Sequence, residues 1–308
     1  MCVSALLILA YHFWIPITSP GQIAHEIELF IRYVSFIGVD MFFFVSGFSV
    51  MSGDIKYGDF LKNRFKNIYF KFVVFALIAA IYKKWKITKF IKAILGIELF
   101  ERGGGAFLWF VPAIMILYVF IPLYKKAESR YPLISLSLLS AIWLAFTIGV
   151  SYFSDYREIF IFTNRIPVFV LGYYFSKYEV IDKLKRKKSF YVTLSLVLVG
   201  VGNVISYKVF YDHVNIVYVK DVFYLTAIPL IVGVILLLEP VKSNVFTEKI
   251  SRITLDLYGI QMVFGYKIAT MLSKAIPNGL LCNFSIFSAI TIVALMYSYI
   301  YQRVRDIV

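Results

Sequence analysis

Apolar residues occur along this chain in ten separate runs, each bounded by polar or charged residues. These runs cover residues 2–17, 33–53, 68–82, 108–124, 133–151, 159–176, 189–206, 222–239, 254–272 and 282–301. Because about 20 apolar residues in a helix cross the hydrocarbon of a bilayer, the pattern predicts about ten transmembrane helices. We therefore expect an all-α, polytopic membrane protein in which residues 1–308 form a single membrane domain.

The composition supports a membrane protein and argues against a nucleic-acid partner. Apolar residues make up 60% of the chain and charged residues 16%, whereas soluble domains have about 45–50% and about 25%. The net charge of +14 comes from basic residues that cluster between the apolar runs, and no nucleic-acid-binding motif is present. Cys2 and Cys282 lie at opposite ends of the chain, a spacing that indicates neither a disulfide framework nor a metal site.

The distribution of Lys and Arg predicts the orientation. Every second loop, starting with 54–67, lies on one side of the membrane, and these loops together with the C-terminal tail hold 18 Lys and Arg residues. The loops on the other side hold 11. Because cytoplasmic loops are enriched in Lys and Arg, we expect both termini in the cytoplasm of a multi-pass plasma (inner) membrane protein. The outer segment 83–107 is an exception, since six of the 11 lie there. Its alternation of Lys and apolar residues at helical spacing predicts an interfacial or re-entrant amphipathic helix.

The first apolar run is short for a membrane crossing. Pro16 limits its helix to about 14 residues, or about 21 Å at 1.5 Å per residue. The hydrocarbon core is about 30 Å thick. Either this helix is unusually short or residues precede Met1 in the natural protein, and we expect the second.

Four ionisable residues within the runs are predicted to share one layer of the membrane. By residue count His12, Asp40, Arg165 and Lys267 each lie about 8–10 Å below the outer face. A charged side chain at mid-membrane costs roughly 2.5–3.5 kcal/mol, so such residues usually face a partner or a wet cavity. Each residue could instead have a purely structural role. His12 could hydrogen-bond a backbone carbonyl, Asp40 and Arg165 could form a structural ion pair, and the side chain of Lys267 could extend to the membrane interface.

Several segments, in order, resemble acyltransferase family 3. They are "LILAYHF", "GVDMFFFVSGF", "FLKNRFKNI", "LWFVPAIMILYVFIPLY", "NRIPVFVLGYYFSKY" and "ITLDLYGIQMVF". Members of that family are ten-helix membrane proteins that O-acylate cell-surface polysaccharides and related acceptors. The resemblance covers nearly the whole chain, and "YHF" followed by "GVDMFFFVSGF" is its most specific part.

The resemblance implies a catalytic role for His12. In the family an Arg or Lys precedes this histidine with ten residues between them, and here Met1 stands at that position. The family often has a histidine where this chain has Gln261.

The resemblance also implies a binding site for the acyl donor before the third helix. The family has an Arg-x-x-Arg pattern there, in which Arg64 matches the first position and Asn67 replaces the second. Lys62 and Lys66 keep the patch basic. The alternative is that these residues are ordinary cytoplasmic charges.

Together these observations predict an O-acyltransferase that moves an acyl group, most simply acetyl, from acyl-CoA to a hydroxyl of a cell-surface glycan. His12 would be the general base, Asp40 would orient its ring, and Arg165 would neutralise Asp40 or stabilise the oxyanion. Arg64, Lys62 and Lys66 would bind the phosphates of the donor. Acyl-CoA is then a substrate, and no metal or other cofactor is expected.

Two other classes of protein remain open from the sequence. A transporter or flippase for a polysaccharide or lipid-linked sugar would also need a polar layer in the membrane. The absence of an internal repeat argues against that class. A non-catalytic assembly subunit would account for Met1 and Asn67, the departures from the family pattern.

Overall fold

The fold is all helical in the part of the chain that the structure describes. This computed structural model describes residues 1–13, 23, 25–26, 28, 31, 35–51, 56–152, 159–212, 219–276 and 279–307. No strand occurs among those residues, which confirms the predicted all-α class.

The helices follow one another with short connections. The first part of the chain forms α1 (Cys2–Phe13), α2 (Gly38–Met51), α3 (Tyr57–Arg64), α4 (Phe70–Tyr82), α5 (Ile87–Ile94), α6 (Ile97–Arg102), α7 (Phe110–Arg130) and α8 (Pro132–Tyr152). The remainder forms α9 (Phe160–Thr163), α10 (Arg165–Lys177), α11 (Val180–Lys185), α12 (Lys188–Asp212), α13 (Val219–Leu238), α14 (Val245–Arg252), α15 (Thr254–Ile260), α16 (Tyr266–Ala275) and α17 (Gly279–Ile307).

Each predicted apolar run contains helix, because a backbone in hydrocarbon must satisfy its polar groups within its own segment. Among the described residues, four helical stretches are long and apolar enough to cross a membrane: Tyr57–Tyr82, Phe110–Arg130, Pro132–Gly149 and Gly279–Arg303. Shorter apolar helices are Cys2–Phe13, Gly38–Val50, Lys188–Val201 and Thr226–Leu238. The chain is thus a membrane protein, while the count of ten crossings and the cytoplasmic termini stay predictions.

Two helices contain a five-residue π-helical segment. The segment π1 (Phe65–Tyr69) joins α3 to α4, and π2 (Gln261–Gly265) joins α15 to α16. A π-helical turn widens the helix locally and is found frequently at functional sites. The basic residues predicted to bind the donor lie at π1, and Gln261 begins π2.

The exceptional basic segment after α4 is helical, as predicted. Lys84 adopts a left-handed conformation with φ 51° and ends α4. The amphipathic helix α5 then begins at Ile87, and its Ile87, Ile91 and following Leu95 expose apolar side chains. An apolar exposed face beside lysines is the arrangement expected of a helix at a membrane interface.

The described chain divides into two compact units. Unit 1 comprises Met1–Val39, Lys62–Ile97 and Ser243–Val308, and unit 2 comprises Asp40–Leu61 and Glu98–Lys242. In unit 1, α1 packs against α14, α15 and α17, and α4 packs against α5, α15 and π2. Its core contains fully buried Leu9, Phe72, Phe75 and Leu257.

Unit 2 is built on the long helices from α7 to α13. Here α7 packs against α8, and α12 packs along α13. The Nε1–H of Trp143 in α8 donates to the carbonyl oxygen of Thr163 at 3.0 Å, which ties α8 to α9. Buried Phe43, Val111 and Val168 contribute to the core of this unit.

Candidate active site

Asp40 and Arg165 form a buried ion pair in unit 2. The Nε of Arg165 lies 2.8 Å from Oδ1 of Asp40, and Nη2 donates to Oδ2 at 3.5 Å. Asp40 is fully buried, and the side chain of Arg165 is 13% exposed. Two residues 125 positions apart in sequence thus meet, as their matching predicted depths suggested.

Further contacts hold the guanidinium of Arg165 in place. Its Nη1 donates to the carbonyl oxygen of Ile161 at 3.0 Å. The guanidinium carbon lies 5.8 Å from the centre of the Trp109 ring, within range of a cation–π interaction. Trp109 in turn stacks on Phe43 with ring centres 6.3 Å apart. The pair is therefore fixed by packing as well as by charge.

Two glycines allow the helices that carry this pair to touch. A Cβ atom added at Gly47 in α2 would lie closer than 3.0 Å to the carbonyl oxygen of Phe169 in α10. A Cβ atom added at Gly172 would lie equally close to the carbonyl oxygen of Phe44. Since Asp40 and Arg165 meet near the starts of α2 and α10, the two helices run in the same direction. Small residues at such crossings let backbones approach closely in membranes.

His12 lies in unit 1, at the end of α1. Its ring contacts that of Tyr11 edge-on with centres 5.4 Å apart, and its side chain is exposed. The neighbouring Phe13 packs against Gly265 of π2, where an added Cβ would lie closer than 3.0 Å to the Phe13 ring. The base role of His12, and its approach to Asp40 and Arg165, stay predictions.

The basic residues predicted to bind the donor lie at the junction of α3 and π1. Lys62 and Lys66 are exposed, and Arg64 is half-buried. The i, i+4 spacing of the two lysines places them on one side of the helix. Exposed ammonium groups beside a guanidinium form a cationic surface that can accept phosphate oxygens.

A second buried ion pair was not predicted from the sequence. Lys71 in α4 donates to both carboxylate oxygens of Asp256 in α15, at 2.8 and 2.9 Å. Asp256 is fully buried, and the Lys71 ammonium lies 5.1 Å from the centre of the Tyr301 ring. Both residues lie near the starts of their predicted apolar runs, 68–82 and 254–272, and their complementary charge and similar depth were the signal that could have paired them.

A third buried acid was also missed. Glu128 near the end of α7 pairs with Lys177 at the end of α10 and accepts from Tyr173 Oη at 3.2 Å. Next to it, the hydroxyls of Tyr124 and Tyr174 are 2.6 Å apart. These groups link α7 to α10 at the predicted cytoplasmic end of unit 2. Glu128 lies in the connection between the predicted apolar runs 108–124 and 133–151, so no buried partner was predicted for it.

Gln261 is buried without a partner. It is 2% exposed, and neither polar atom of its side-chain amide has a hydrogen bond within the part of the chain that the structure describes. A buried amide without a partner costs about 1–3 kcal/mol. Such a group in a π-helical segment is free to donate to, or accept from, an incoming molecule.

An apolar groove of about 600 Å³ lies in unit 2 beside α8 and α10. Its lining includes Leu136, Trp143, Val170 and Leu171, and Glu128 is the one charged residue among the described residues that line it. Such a lining suits hydrocarbon rather than the phosphates of a nucleotide. The groove is thus separate in chemistry from the predicted donor site. Among the described residues no three His, Cys, Asp or Glu side chains are grouped to hold a metal ion.

Comparison with protein families identifies a family for this chain. The model of a family described as an acyltransferase domain matches residues 2–303, which is nearly the whole chain. No curated protein and no solved structure matches the chain. The family match confirms the resemblance seen in the sequence motifs, and no comparison supports the transporter alternative.

Proposed function

Since this chain belongs to the acyltransferase family whose model matches residues 2–303, we propose that it acetylates a hydroxyl group of a cell-surface glycan. The donor is acetyl-CoA, and the enzyme resides in the plasma membrane. The buried pair of Asp40 and Arg165 is the observation that supports a chemical site near the predicted outer face. A charge pair is expensive to place among apolar helices, so a role in chemistry explains its presence well.

In the proposed reaction the acceptor oxygen attacks the carbonyl carbon of the thioester while His12 takes the hydroxyl proton. The carbonyl oxygen carries the negative charge until the C–S bond breaks and the C=O bond re-forms. The departing thiolate takes the proton from the imidazolium and leaves as CoA thiol. The products are the acetyl ester and CoA, and His12 returns to its neutral form.

Asp40 and Arg165 serve this step together. A carboxylate close to the imidazolium would stabilise its positive charge and orient the ring. The contact between Arg165 and Asp40 supports the first of the two predicted roles of Arg165, which is to balance the charge of Asp40. A carboxylate that is paired with a guanidinium can remain ionised in an apolar setting, because the two charges balance.

The donor is held at its phosphates by Arg64, Lys62 and Lys66. These cations lie at the junction of α3 and π1, on the side of the membrane where acetyl-CoA is made if the predicted orientation holds. The charged part of CoA then stays in water, and only the acetylated end enters the membrane.

Acetyl transfer by the purified protein tests the proposal. The protein is reconstituted in vesicles with acetyl-CoA labelled in the acetyl group, and surface glycans from cells that lack the gene serve as acceptors. We expect label in base-labile esters on the glycan, and none with protein that carries His12→Ala. Movement of the glycan across the vesicle membrane without acetylation would instead identify a transporter.

A further inference from the structure

Six basic residues in the outer segment 83–107 run against the predicted orientation. Positive residues are normally depleted on that side of a membrane protein, so a cluster there needs a reason. The proposed acetylation uses none of them. Their arrangement in unit 1 supplies the reason.

Three lysines lie at the predicted outer end of unit 1, one bonded to π2 and two beside aromatic rings of the adjoining segment. Lys83 donates through Nζ to the carbonyl oxygen of Met262, at 2.9 Å. The Nζ of Lys267 lies 5.8 Å from the centre of the ring of Tyr82, the residue that precedes Lys83. The Nζ of Lys89 lies 4.5 Å above the Trp85 ring. We call Lys83, Lys89 and Lys267 the outer lysine cluster.

No carboxylate among the described residues balances the positive charge of the outer lysine cluster. Within the described ranges none of its three ammonium groups pairs with a carboxylate, whereas Lys71, Arg165, Lys177 and Lys185 each do. Partial burial, together with the nearby charge of Lys89, lowers the pKa of Lys83. Unbalanced cations held close together attract an anion from solution.

The segment π2 connects the outer lysine cluster to His12. Met262 receives the bond from Lys83, and Phe264 packs on Tyr82 with ring centres 5.1 Å apart. Gly265, at the end of the same segment, packs against Phe13, the residue after His12. The same five residues therefore contact both Lys83 and the end of α1.

We propose that the outer lysine cluster binds an acidic group of the acceptor glycan, a carboxylate or a phosphate, and so holds the acceptor hydroxyl for His12. This inference rests on the proposed function, and it names an anionic glycan as the substrate class. Aromatic rings at Tyr82 and Trp85 beside the ammonium groups suit the apolar faces of a sugar ring. The cluster contributes binding energy common to substrate and transition state, so it acts on KM.

Site-resolved lysine labelling tests this binding without any acetyl transfer. The protein in phosphatidylcholine nanodiscs reacts with a water-soluble acylating reagent, alone or with a glucuronyl-glucose disaccharide, and mass spectrometry measures labelling at each lysine. Cellobiose is the neutral control sugar. Lys187, Lys242 and Lys249 are the internal control residues, exposed on predicted cytoplasmic segments.

We expect the acidic disaccharide to slow labelling of Lys83, Lys89 and Lys267 roughly threefold, the slowing that follows when about two thirds of the sites are occupied. Cellobiose should slow none of them, and the control lysines should not respond. The variant Lys267→Gln should weaken the protection of the remaining two lysines, and Lys249→Gln should leave it unchanged. Equal labelling with and without the acidic sugar would overturn the proposal.

A lipid arm separates the glycan from the membrane as the source of the anion. Nanodiscs that contain phosphatidylglycerol replace the neutral ones, and no sugar is added. Protection by this lipid together with no effect of the acidic sugar would assign the lysines to the bilayer surface and defeat the proposal. Since no acetyl-CoA is present, this result is independent of whether the protein acetylates glycans.

Discussion

His12 is the residue on which the proposed chemistry depends most. Its side chain is exposed at the end of α1, next to a helix turn that packs on π2. Imidazole is the side chain whose pKa suits proton transfer near neutral pH. An exposed ring in an otherwise apolar helix is accessible to a substrate, as a base must be.

Replacement of His12 by Ala should lower acetyl transfer by roughly 10²–10⁴-fold, the usual contribution of a general base. Expression and membrane insertion should not change, because the His12 side chain is exposed at the end of α1. Radiolabelled acetyl transfer in vesicles measures the effect. Tyr11→Phe, at the exposed neighbouring position, controls for disturbance of the helix end and should retain activity. Activity of His12→Ala within a few-fold of the wild type would remove His12 from the mechanism.

The Asp40–Arg165 pair distinguishes catalysis from simple helix packing. Arg165→Gln alone leaves a buried carboxylate unpaired and should cost about 3–5 kcal/mol of stability. The double variant Asp40→Asn with Arg165→Gln removes both charges, keeps a polar amide at each position and should recover most of that loss. Thermal unfolding in detergent measures the stability of both variants.

Activity of that double variant decides the role of the pair. If Asp40 stabilises the imidazolium, acetyl transfer should stay low although stability has returned. Recovery of activity together with stability would make the pair structural only.

Arg64 should act on donor binding. Arg64→Ala should raise the KM for acetyl-CoA roughly tenfold, as loss of a charged hydrogen bond does. The kcat should fall less, because the phosphates lie far from the reacting carbonyl. Initial rates at varied acetyl-CoA measure both constants, and Arg186→Ala on α11 is the matched arginine control. An unchanged KM would leave Arg64 as an orientation signal.

At the scale of the elements, the crossing of α2 and α10 positions the buried pair. The sequence showed small residues at close spacing in "FVSGFSVMSG", and the structure confirms that Gly47 meets the backbone of α10. No signal in the sequence identified α10 as its partner, because any small residue on another helix would have suited. Tertiary packing selected Gly172.

Gly47→Ala should destabilise the protein by about 1–3 kcal/mol or more, because backbone has to move to admit the methyl group. Gly149→Ala on α8 is the matched control, since nothing lies within 4 Å of its added Cβ. There the same change should stabilise the helix by about 0.5–1 kcal/mol. Urea or thermal unfolding in detergent compares the two, and equal effects would argue against the close crossing.

At the scale of the whole molecule, the distribution of charge predicts orientation. The segment 177–188 holds six Lys and Arg residues, and the segment 83–107 holds another six. The first agrees with cytoplasmic termini and the second opposes them. The amphipathic character of α5 gives its lysines a place at the membrane interface, and the remaining outer loops hold only five Lys and Arg residues, so the distribution still favours cytoplasmic termini.

Reporter fusions check this orientation. A fluorescent protein fused after residue 308 should fold and fluoresce in the cytoplasm, whereas alkaline phosphatase fused after residue 105 should be active outside. Neutral variants of Lys183, Lys185 and Lys187 should weaken the preference by reducing the cytoplasmic charge. An inactive phosphatase at residue 105 would place the outer lysine cluster in the cytoplasm.

The sequence by itself determined where the helices lie and what class of protein this is. Apolar runs and loop charges are local features, and a bilayer leaves an apolar run few conformations other than a helix. The motifs around His12 and Asp40 were equally local, so they sufficed to indicate the acyltransferase family. The amphipathic helix after α4 was visible for the same reason.

Tertiary structure alone decided which buried charges meet and how closely the helices approach. From the sequence, Asp40 could have been paired with any cation at its depth. Two further ion pairs also join residues that are far apart in the sequence, namely Lys71 with Asp256 and Lys177 with Glu128. The π-helical turns likewise depend on packing, because five residues in a π turn have no composition that separates them from an α-helix. Pairing in a membrane is settled by the free energy of desolvating each charge, and that depends on neighbours which only the folded chain brings together.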